Sequence, residues 1–360
     1  MFMPFLYLFP LDIFRKNQQN KKISSNWYIW LPPGSGTEEK LKIVILERNS
    51  VGLDIDVERL GEFGELEIYP NTVTAEEVAG RVKDADIVVA NKAPMREESL
   101  KDAENIKLIC EFATGYDNID VEYCKSRNIL VCNVRNYSTA MVAQHSIAMA
   151  LFLIEKLHYY DEYVKSGAYA AQSRFSHFDK SFWELEGKTW GIVGMGNIGR
   201  SVAKIAESFG CRVIFYSASG NSTCTDYERV DFDTLLEQSD VLSLHCPLSD
   251  RTRNLIDLAA LKKMKKSAVL INVARGPVVN SSDLYTALTE GEIAAAGLDV
   301  LEKEPITEEN PLSKFTDSNR LIITPHMAWA GLEARERCVD GVYRNIKNFL
   351  AGEPSNLVNG

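Results

Sequence analysis

The sequence predicts an α/β protein made of two doubly wound parallel-sheet domains. Three observations support this prediction: short apolar runs alternate with helical patterns, one apolar helix interrupts the alternation, and 360 residues suffice for two cores. With 45% hydrophobic and 25% charged residues, the composition is that of an ordinary globular protein. The formal net charge of -10 disfavours a nucleic-acid partner, because proteins that bind nucleic acids usually carry basic patches.

The first block of elements contains four predicted strands and ends near Ser138. These strands are short, β-rich and flanked by polar segments, and they cover residues 42–46, 87–90, 106–110 and 130–133. Such runs, separated by helical patterns, imply βαβ units and a parallel sheet. The helix predicted next, at residues 140–154, is apolar on nearly every face, so we place it between the two domains.

The second block contains six predicted strands, at residues 189–193, 212–216, 241–244, 268–272, 296–300 and 321–325. Six parallel strands match the count of a complete dinucleotide-binding sheet. A final helix around residues 335–350 follows the sixth strand, and we expect it to pack back on the first block. The predicted limits are therefore 41–139 with 331–360 for the first domain and 140–330 for the second.

Residues 1–40 precede this alternation as an extension. Its first 14 residues are rich in aromatic and aliphatic side chains, whereas residues 15–22 are polar and basic. A signal peptide carries its positive charge before the apolar run and a spanning helix needs about 20 apolar residues, so we predict neither and expect no membrane contact. A poorly ordered extension or a misplaced start codon is the prediction, and a membrane-surface or partner-binding arm is the alternative.

The turn Gly194-Met195-Gly196-Asn197-Ile198-Gly199 directly follows a predicted strand and opens a helix that Gly210 ends. In this context the glycine pattern is the fingerprint of a turn that binds the pyrophosphate of NAD or NADP. We expect Gly194 to make the tight turn, Gly196 to admit the phosphates, and Gly199 to bring helix and sheet together. The helix N-terminus adds unpaired N–H donors for the phosphates. A turn that serves packing alone is the alternative.

Ser217 occupies the position at the end of the next strand where the ribose of the cofactor is recognised. An acidic residue there binds the ribose 2′-hydroxyl and repels a 2′-phosphate. Ser217 carries no negative charge, and no arginine follows it immediately to favour a phosphate. The sequence therefore predicts NAD as the cofactor while leaving NADP open.

Seven cysteines are scattered along the chain without a Cys-x-x-Cys pair or a histidine pair at zinc-ligand spacing. This distribution disfavours a disulfide framework and a zinc site, and we predict no metal ion. Free cysteines are typical of a reducing compartment, so we expect a cytoplasmic protein.

Three ionisable residues of the second block follow the carboxyl ends of strands, the edge where doubly wound sheets bind ligands. Arg275 and Glu304 lie past the strands at 268–272 and 296–300, and His326 directly follows the last strand. Oxidation of a hydroxy acid needs a base for the hydroxyl proton, a carboxylate that fixes the imidazole tautomer, and a guanidinium that grips a carboxylate or carbonyl oxygen. We therefore predict these three as catalytic residues of a dehydrogenase.

Each of these residues also has a purely structural alternative. Arg275 precedes Gly-Pro and fits a charged surface turn, and Glu304 fits a solvated loop acid with Glu302 as a close competitor. His326 fits a structural histidine. The other four histidines, at positions 145, 158, 177 and 245, lack a comparable placement.

With these motifs the chain resembles the D-isomer-specific 2-hydroxyacid dehydrogenase family from about residue 41 to the C-terminus. The matching stretches are residues 113–120, 194–199, 245–248, 272–277, 297–300 and 324–326. Several separated motifs in the right order make the resemblance specific. It implies a Rossmann NAD(P)-binding domain, a flavodoxin-like substrate domain, and a homodimer formed through the cofactor domain.

The resemblance also implies roles for individual residues. Arg275, Glu304 and His326 would carry the catalytic roles, with Arg275 and His326 also beside the cofactor. The other implied cofactor contacts are Gly194, Gly196, Asn197, Ile198, Gly199, Ser217, Cys246, Pro247, Thr252, Val273, Ala274 and Asp299, the last near the nicotinamide carboxamide. Backbone N–H groups around Asn91-Lys92 and Gly115 would meet the substrate carboxylate, and Arg275 and Trp329 would complete the substrate site.

Three further stretches, at residues 91–92, 137–139 with 142–145, and 326–330, are similar to glycerate dehydrogenase/hydroxypyruvate reductase members. The predicted reaction is therefore hydride transfer between NAD(P)H and a small 2-keto acid such as hydroxypyruvate, with D-glycerate as the hydroxy acid. Ser217 departs from the aspartate common in NAD-using relatives. Two alternatives stay open, a nucleotide-sensing, corepressor-like regulator and a phosphite-type dehydrogenase of the same fold.

Overall fold

The computed structural model describes residues 40–360, so the extension predicted at residues 1–40 lies outside the described residues except for Lys40. The first sheet has five parallel strands in the order β2-β1-β3-β4-β5. Their bounds are β1 Lys42–Ile45, β2 Glu65–Ile68, β3 Ile87–Ala90, β4 Leu108–Glu111 and β5 Leu130–Cys132. This order is that of flavodoxin-like folds, as expected.

The second sheet has seven parallel strands in the order β12-β11-β10-β9-β6-β7-β8. Their bounds are β6 Thr189–Val193, β7 Arg212–Tyr216, β8 Glu228–Arg229, β9 Val241–Leu244, β10 Val269–Asn272, β11 Ala295–Leu298 and β12 Leu321–Ile323. Counted from β6, the strands run 3-2-1-4-5-6-7, which contains the Rossmann order. The predicted fold of two doubly wound parallel sheets, one of them a Rossmann sheet, is therefore confirmed. The structure adds one strand, β8, to the six that the sequence predicts.

Eleven α-helices connect and follow these strands within residues 40–360. Their bounds are α1 Ala75–Val82, α2 Glu97–Leu100, α3 Val121–Ser126, α4 Thr139–Ile154, α5 Leu157–Lys165, α6 Ala168–Ala171, α7 Asn197–Ser208, α8 Phe232–Gln238, α9 Leu258–Lys263, α10 Ser281–Glu290 and α11 Leu332–Leu350. Short 3-10 turns lie at Arg48–Val51, Glu58–Phe63, Gly276–Val278 and Pro311–Lys314.

Within residues 40–360 the chain passes between the two sheets twice, after β5 into α4 and after β12 into α11. Helix α4 has eight buried residues, and its side chains share an apolar core with the seven-stranded sheet. Helix α11 buries Cys338, Val342 and Ile346 in the core of the five-stranded sheet, so the predicted return of the last helix is confirmed. The domain limits themselves stay a prediction.

Helix α7 opens at the glycine turn and ends as predicted, because Gly210 follows it with a positive φ of 80°. Its inner face buries Val202, Ala203 and Ala206 on the sheet. Phe209, the next apolar residue at this helical spacing, is 42% exposed. It occupies the C-cap position, where the chain already leaves the helical path.

Within residues 40–360 no single helix has both the length and the apolar character needed to cross a membrane, although α4 and α5 meet these criteria jointly across a 59° bend.

Candidate active site

The glycine turn lies where β6 meets α7. Gly194 has a φ of 94°, and a Cβ placed there would come within 2.8 Å of the Cys246 amide nitrogen. A Cβ on Gly199 would come within 2.2 Å of the Gly194 carbonyl oxygen, so the helix packs directly on the turn. Apart from its chain neighbours, no atom of residues 40–360 lies within 4 Å of the corresponding position on Gly196. The turn is therefore closed by protein at its first and third glycines and open at the second, which fits a pyrophosphate on the α7 N-terminus.

A cavity of about 750 Å³ extends from this turn along the ends of β7 and β9. Its wall includes the predicted residues Gly194, Gly196, Ser217, Cys246, Pro247 and Thr252. Hydroxyl and amide side chains dominate the loop after β7: Ser217, Ser219, Asn221, Ser222 and Thr223. Arg251 lies in the same wall, and Arg229 of β8 donates to the Gly220 carbonyl at 3.1 Å. These residues line the part of the cavity where the adenosine of a cofactor would lie. They are compatible with a ribose that carries a 2′-hydroxyl, as in NAD, and with one that carries a 2′-phosphate, as in NADP.

We expect different outcomes when a methyl group is added to the second and to the third glycine of the turn. Gly199→Ala should destabilise the fold by about 1–3 kcal/mol, because its Cβ overlaps the Gly194 carbonyl. Gly196→Ala should leave the melting temperature unchanged and weaken NADH binding, because its methyl enters only the space left for the cofactor. Thermal denaturation and NADH fluorescence titration separate the two effects. Equal melting losses in both variants would contradict this assignment of the glycines.

His326 and Glu304 form a hydrogen-bonded pair, with His326 Nδ1 2.6 Å from Glu304 Oε2. Glu304 Oε1 accepts from the Leu301 amide at 2.9 Å. Partial burial tends to raise the pKa of Glu304, but the bonds from His326 and Leu301 and the charge of Lys92 prevail and lower it. Glu304 therefore stays ionised, and no residue among 40–360 bonds Nε2 of His326, which leaves that atom for a ligand.

The turn that carries His326 is held by Asp299, which is 2% exposed. The Asp299 carboxylate accepts from the amides of Met327 and Ala328, each at 2.8 Å, and from the Thr324 hydroxyl at 2.6 Å. His326 itself has a φ of 53°, an unusual conformation for a side-chain-bearing residue. Asp299 thus positions the histidine; its Oδ1 accepts two of these bonds and its Oδ2 one, and the contact predicted with the nicotinamide stays a prediction.

His145 joins this network from helix α4. Its Nε2 lies 3.1 Å from Thr324 Oγ1 and 3.7 Å from Asp299 Oδ1. The apolar sequence of α4 does not predict that His145 belongs to the site. Only its contact with a carboxylate distinguishes His145 from a structural histidine. His245, which lines the cofactor cavity, is different: burial lowers its pKa to about 3, so it stays neutral and is no candidate base.

Arg275 lies between the two sheets. Its Nε is 3.4 Å from Asp117 Oδ2, and a Cβ on Gly115 would come within 2.1 Å of its Nη2. A Cβ on Gly276 would come within 1.9 Å of Leu301 backbone atoms, so the Arg275 loop packs on the loop that carries Glu304. Arg275, Glu304 and His326 therefore meet at one edge, and Gly115 faces them from the five-stranded sheet.

The loop after β3 holds a contact that the sequence prediction missed. The backbone N–H groups of Asn91, Lys92 and Ala93 all donate to the carboxylate of Glu47, at 2.7–3.0 Å. The sequence analysis assigns the amides of Asn91 and Lys92 to the substrate carboxylate. In the structure these amides instead bind Glu47. Glu47 directly follows the apolar run of β1, so the rule that found Arg275 and His326, applied to the first sheet, finds it too.

The other predicted residues lie in different surroundings. Asn197 lies outside the cavity wall, and its side chain donates to Asn136 Oδ1 at 2.6 Å. This bond links α7 to the segment between β5 and α4. Ile198 packs against the apolar core, and Val273 and Ala274 are buried at the end of β10. The Trp329 indole donates to the His326 carbonyl at 3.0 Å, so it braces the catalytic turn.

The model of the family "D-isomer specific 2-hydroxyacid dehydrogenase, NAD binding domain" matches residues 147–328. The chain is 38% identical to a hydroxypyruvate reductase of Blautia hydrogenotrophica, over 89% of this chain and 100% of that protein. It is 39% identical to a glycerate dehydrogenase of Methylorubrum extorquens, over 88% of this chain and 98% of that protein.

Solved structures show the same likeness. An acyclic imino acid reductase in complex with NADPH and D-Arg superimposes with a TM-score of 0.79 at 30% identity, covering 88% of this chain and 100% of that one. A D-lactate dehydrogenase from Aquifex aeolicus, complexed with NAD and lactic acid, gives 0.77 at 29% identity, covering 89% and 99%. The family match spans half of the chain and both relatives are covered almost completely, so this protein belongs to the D-isomer-specific 2-hydroxyacid dehydrogenase family.

Proposed function

We propose that this protein catalyses reversible hydride transfer between NAD(P)H and a small 2-keto acid, with hydroxypyruvate and D-glycerate as the substrate pair. The observation that carries the proposal is the 2.6 Å His326–Glu304 pair, which lies beside Arg275 at the same sheet edge as the open glycine turn. The names of the two relatives, a hydroxypyruvate reductase and a glycerate dehydrogenase, support this choice of substrate.

The side chains divide the work of the reaction. A bound nicotinamide supplies the hydride that C2 of the keto acid receives. His326, protonated, donates its Nε2 proton to the keto oxygen, while Glu304 fixes the ring through Nδ1. Arg275 offers a planar fork of donors that orients the keto acid and polarises its carbonyl. In the oxidation direction His326 accepts the hydroxyl proton.

Closure of two bodies would exclude water from this site. We propose that residues 41–139 with 331–360 move as one body and residues 140–330 as the other, since the chain crosses between the sheets only after β5 and after β12 within the described residues. Arg275 already contacts Asp117 across this boundary. Water exclusion strengthens every charge interaction within the cleft and protects the hydride path.

A substrate and cofactor screen tests the proposed function. Purified protein is incubated with NADH or NADPH and a panel of 2-keto acids, and cofactor oxidation is followed by absorbance. We expect the highest kcat/KM with hydroxypyruvate. Preference for another keto acid would change the substrate, and turnover of phosphite with NAD would identify a phosphite-type enzyme. Tight NADH binding without turnover of any acid would support a nucleotide-sensing regulator instead.

We also propose that the protein forms a homodimer in the reducing cytoplasm. Three phenylalanines of the segment before β6, Phe175, Phe178 and Phe182, are 89%, 74% and 54% exposed, which favours burial by a second chain. All seven cysteines are unpaired, as a reducing compartment would keep them. Light scattering coupled to gel filtration should give the mass of two chains, and the mass of one chain would exclude the dimer.

A further inference from the structure

The ammonium group of Lys92 lies at the substrate cleft, and the mechanism above does not use it. Lys92 follows β3 at the carboxyl edge of the five-stranded sheet and is exposed. Within residues 40–360 its side chain has neither an ion pair nor a hydrogen bond. An unpaired cation at this edge faces the place where an anionic substrate would arrive.

The backbone beneath Lys92 is already committed. Glu47 is 7% exposed, and its two carboxylate oxygens receive the amides of residues 91–93. A second carboxylate cannot use these amides without displacing Glu47, whose negative charge would also repel it. The loop can therefore bind an anion only through a side chain, and Lys92 provides the cation.

The geometry of neighbouring loops directs this cation toward the catalytic residues. The Asn118 side chain donates to the Ala93 carbonyl at 3.0 Å, and the Met95 amide donates to the Asn118 carbonyl at 3.0 Å. These bonds join the Lys92 loop to residues 115–118, the loop that meets Arg275 through Gly115 and Asp117. Lys92 and Arg275 thus approach the cleft from the two sheets.

The charge environment agrees with this placement. The positive charge of Lys92 contributes to the low pKa of Glu304, which lies on the other side of the cleft. The same charge lowers the pKa of Glu111, a buried carboxyl group whose Oε1 has no partner among residues 40–360. Burial still raises the pKa of Glu111 well above its ordinary value, so Glu111 is neutral and does not pair with the ammonium.

We propose that the Lys92 side chain, and not the backbone of its loop, binds the carboxylate of the 2-keto acid and leaves Arg275 for the keto oxygen. The proposal rests on the proposed function, because it names the residue that recognises the substrate of that reaction. An ammonium and a guanidinium on opposite walls would hold the acid at both of its polar ends. The two loops would then set the distance over which the cleft closes.

The test compares Lys92→Met with Lys92→Arg and with Lys83→Met, which changes an exposed lysine at the opposite end of β3. Removing a charged hydrogen-bond donor should raise the KM for hydroxypyruvate about 10–100-fold while kcat changes little. Lys92→Arg should keep the KM within about threefold of the wild type, and Lys83→Met should match the wild type. The melting temperature and the Kd for NADH should be unchanged in all three variants.

A binding measurement without turnover isolates the carboxylate. Oxamate and its neutral methyl ester are titrated into the NADH complex, with cofactor fluorescence as the readout. Lys92→Met should weaken oxamate about 10–100-fold and leave methyl oxamate unchanged. Equal weakening of both probes, or of neither, would overturn the role of Lys92. A wild type that reduces no keto acid would instead overturn the proposed function, and this proposal with it.

Discussion

Replacing His326 by asparagine should lower kcat for keto-acid reduction by about 10²–10⁴-fold, the loss typical when a general acid is removed. Asparagine is the informative substitution because it tolerates the positive φ of 53° at this position, so the turn held by Asp299 should persist. Its amide can still donate a hydrogen bond to the keto oxygen but cannot transfer a proton. KM and the Kd for NADH should therefore change much less than kcat.

His158→Asn is the matched control, since His158 lies on α5 and pairs with Glu162 on the same helix. It should keep wild-type kinetics. The expected loss is measured by steady-state reduction of hydroxypyruvate, with thermal denaturation confirming that each variant is folded. Turnover close to wild type in His326→Asn would remove His326 from the catalytic role and leave it as a structural histidine.

Arg275→Lys should reduce kcat/KM by about 10²–10³-fold although the positive charge is kept. A guanidinium can donate two parallel hydrogen bonds to planar oxygens, whereas an ammonium acts as a point charge on a flexible stem. A hydrogen bond to a charged group contributes about 1.5–3 kcal/mol, and each 1.4 kcal/mol corresponds to a factor of ten, so losing one or two bonds gives this range. Arg275→Met should lose more, because the charge disappears too.

Arg344→Lys is the control, since Arg344 is an exposed residue on α11 outside the cleft. It should leave kcat/KM unchanged. The pattern of the loss is informative beyond its size: a fall in kcat indicates that Arg275 polarises the carbonyl in the transition state, and a rise in KM alone indicates ground-state binding. A kcat/KM within threefold of wild type in Arg275→Lys would contradict the predicted fork.

Much of the fold follows from local patterns in the sequence. The strands β6, β7 and β9 have the predicted bounds, because buried parallel strands are continuous apolar runs flanked by polar residues. Strands β2 and β8 escape prediction for the same reason: β2 reads Glu-Leu-Glu-Ile and β8 is a Glu-Arg pair at the sheet edge. Edge strands bury less surface, and their sequences carry a weaker apolar signal.

The candidate site shows a similar limit. Arg275, Glu304 and His326 could be predicted because each follows a strand of one sheet, and strand ends of one sheet share an edge. The contacts of His145 and Asn136 could not, because each joins segments far apart in the chain. Hydrogen bonds across such sequence separations depend on tertiary packing, which local sequence patterns do not encode.

The hold of Glu47 on the loop after β3 affects how this protein can change over evolution. Glu47 binds main-chain N–H groups, which every amino acid except proline possesses. These hydrogen bonds therefore do not depend on which side chains stand at positions 91–93. Position 92 can therefore accept nearly any residue while the loop keeps its course. Single mutations at that position could therefore tune how strongly the protein binds the substrate carboxylate, with each intermediate still a folded protein.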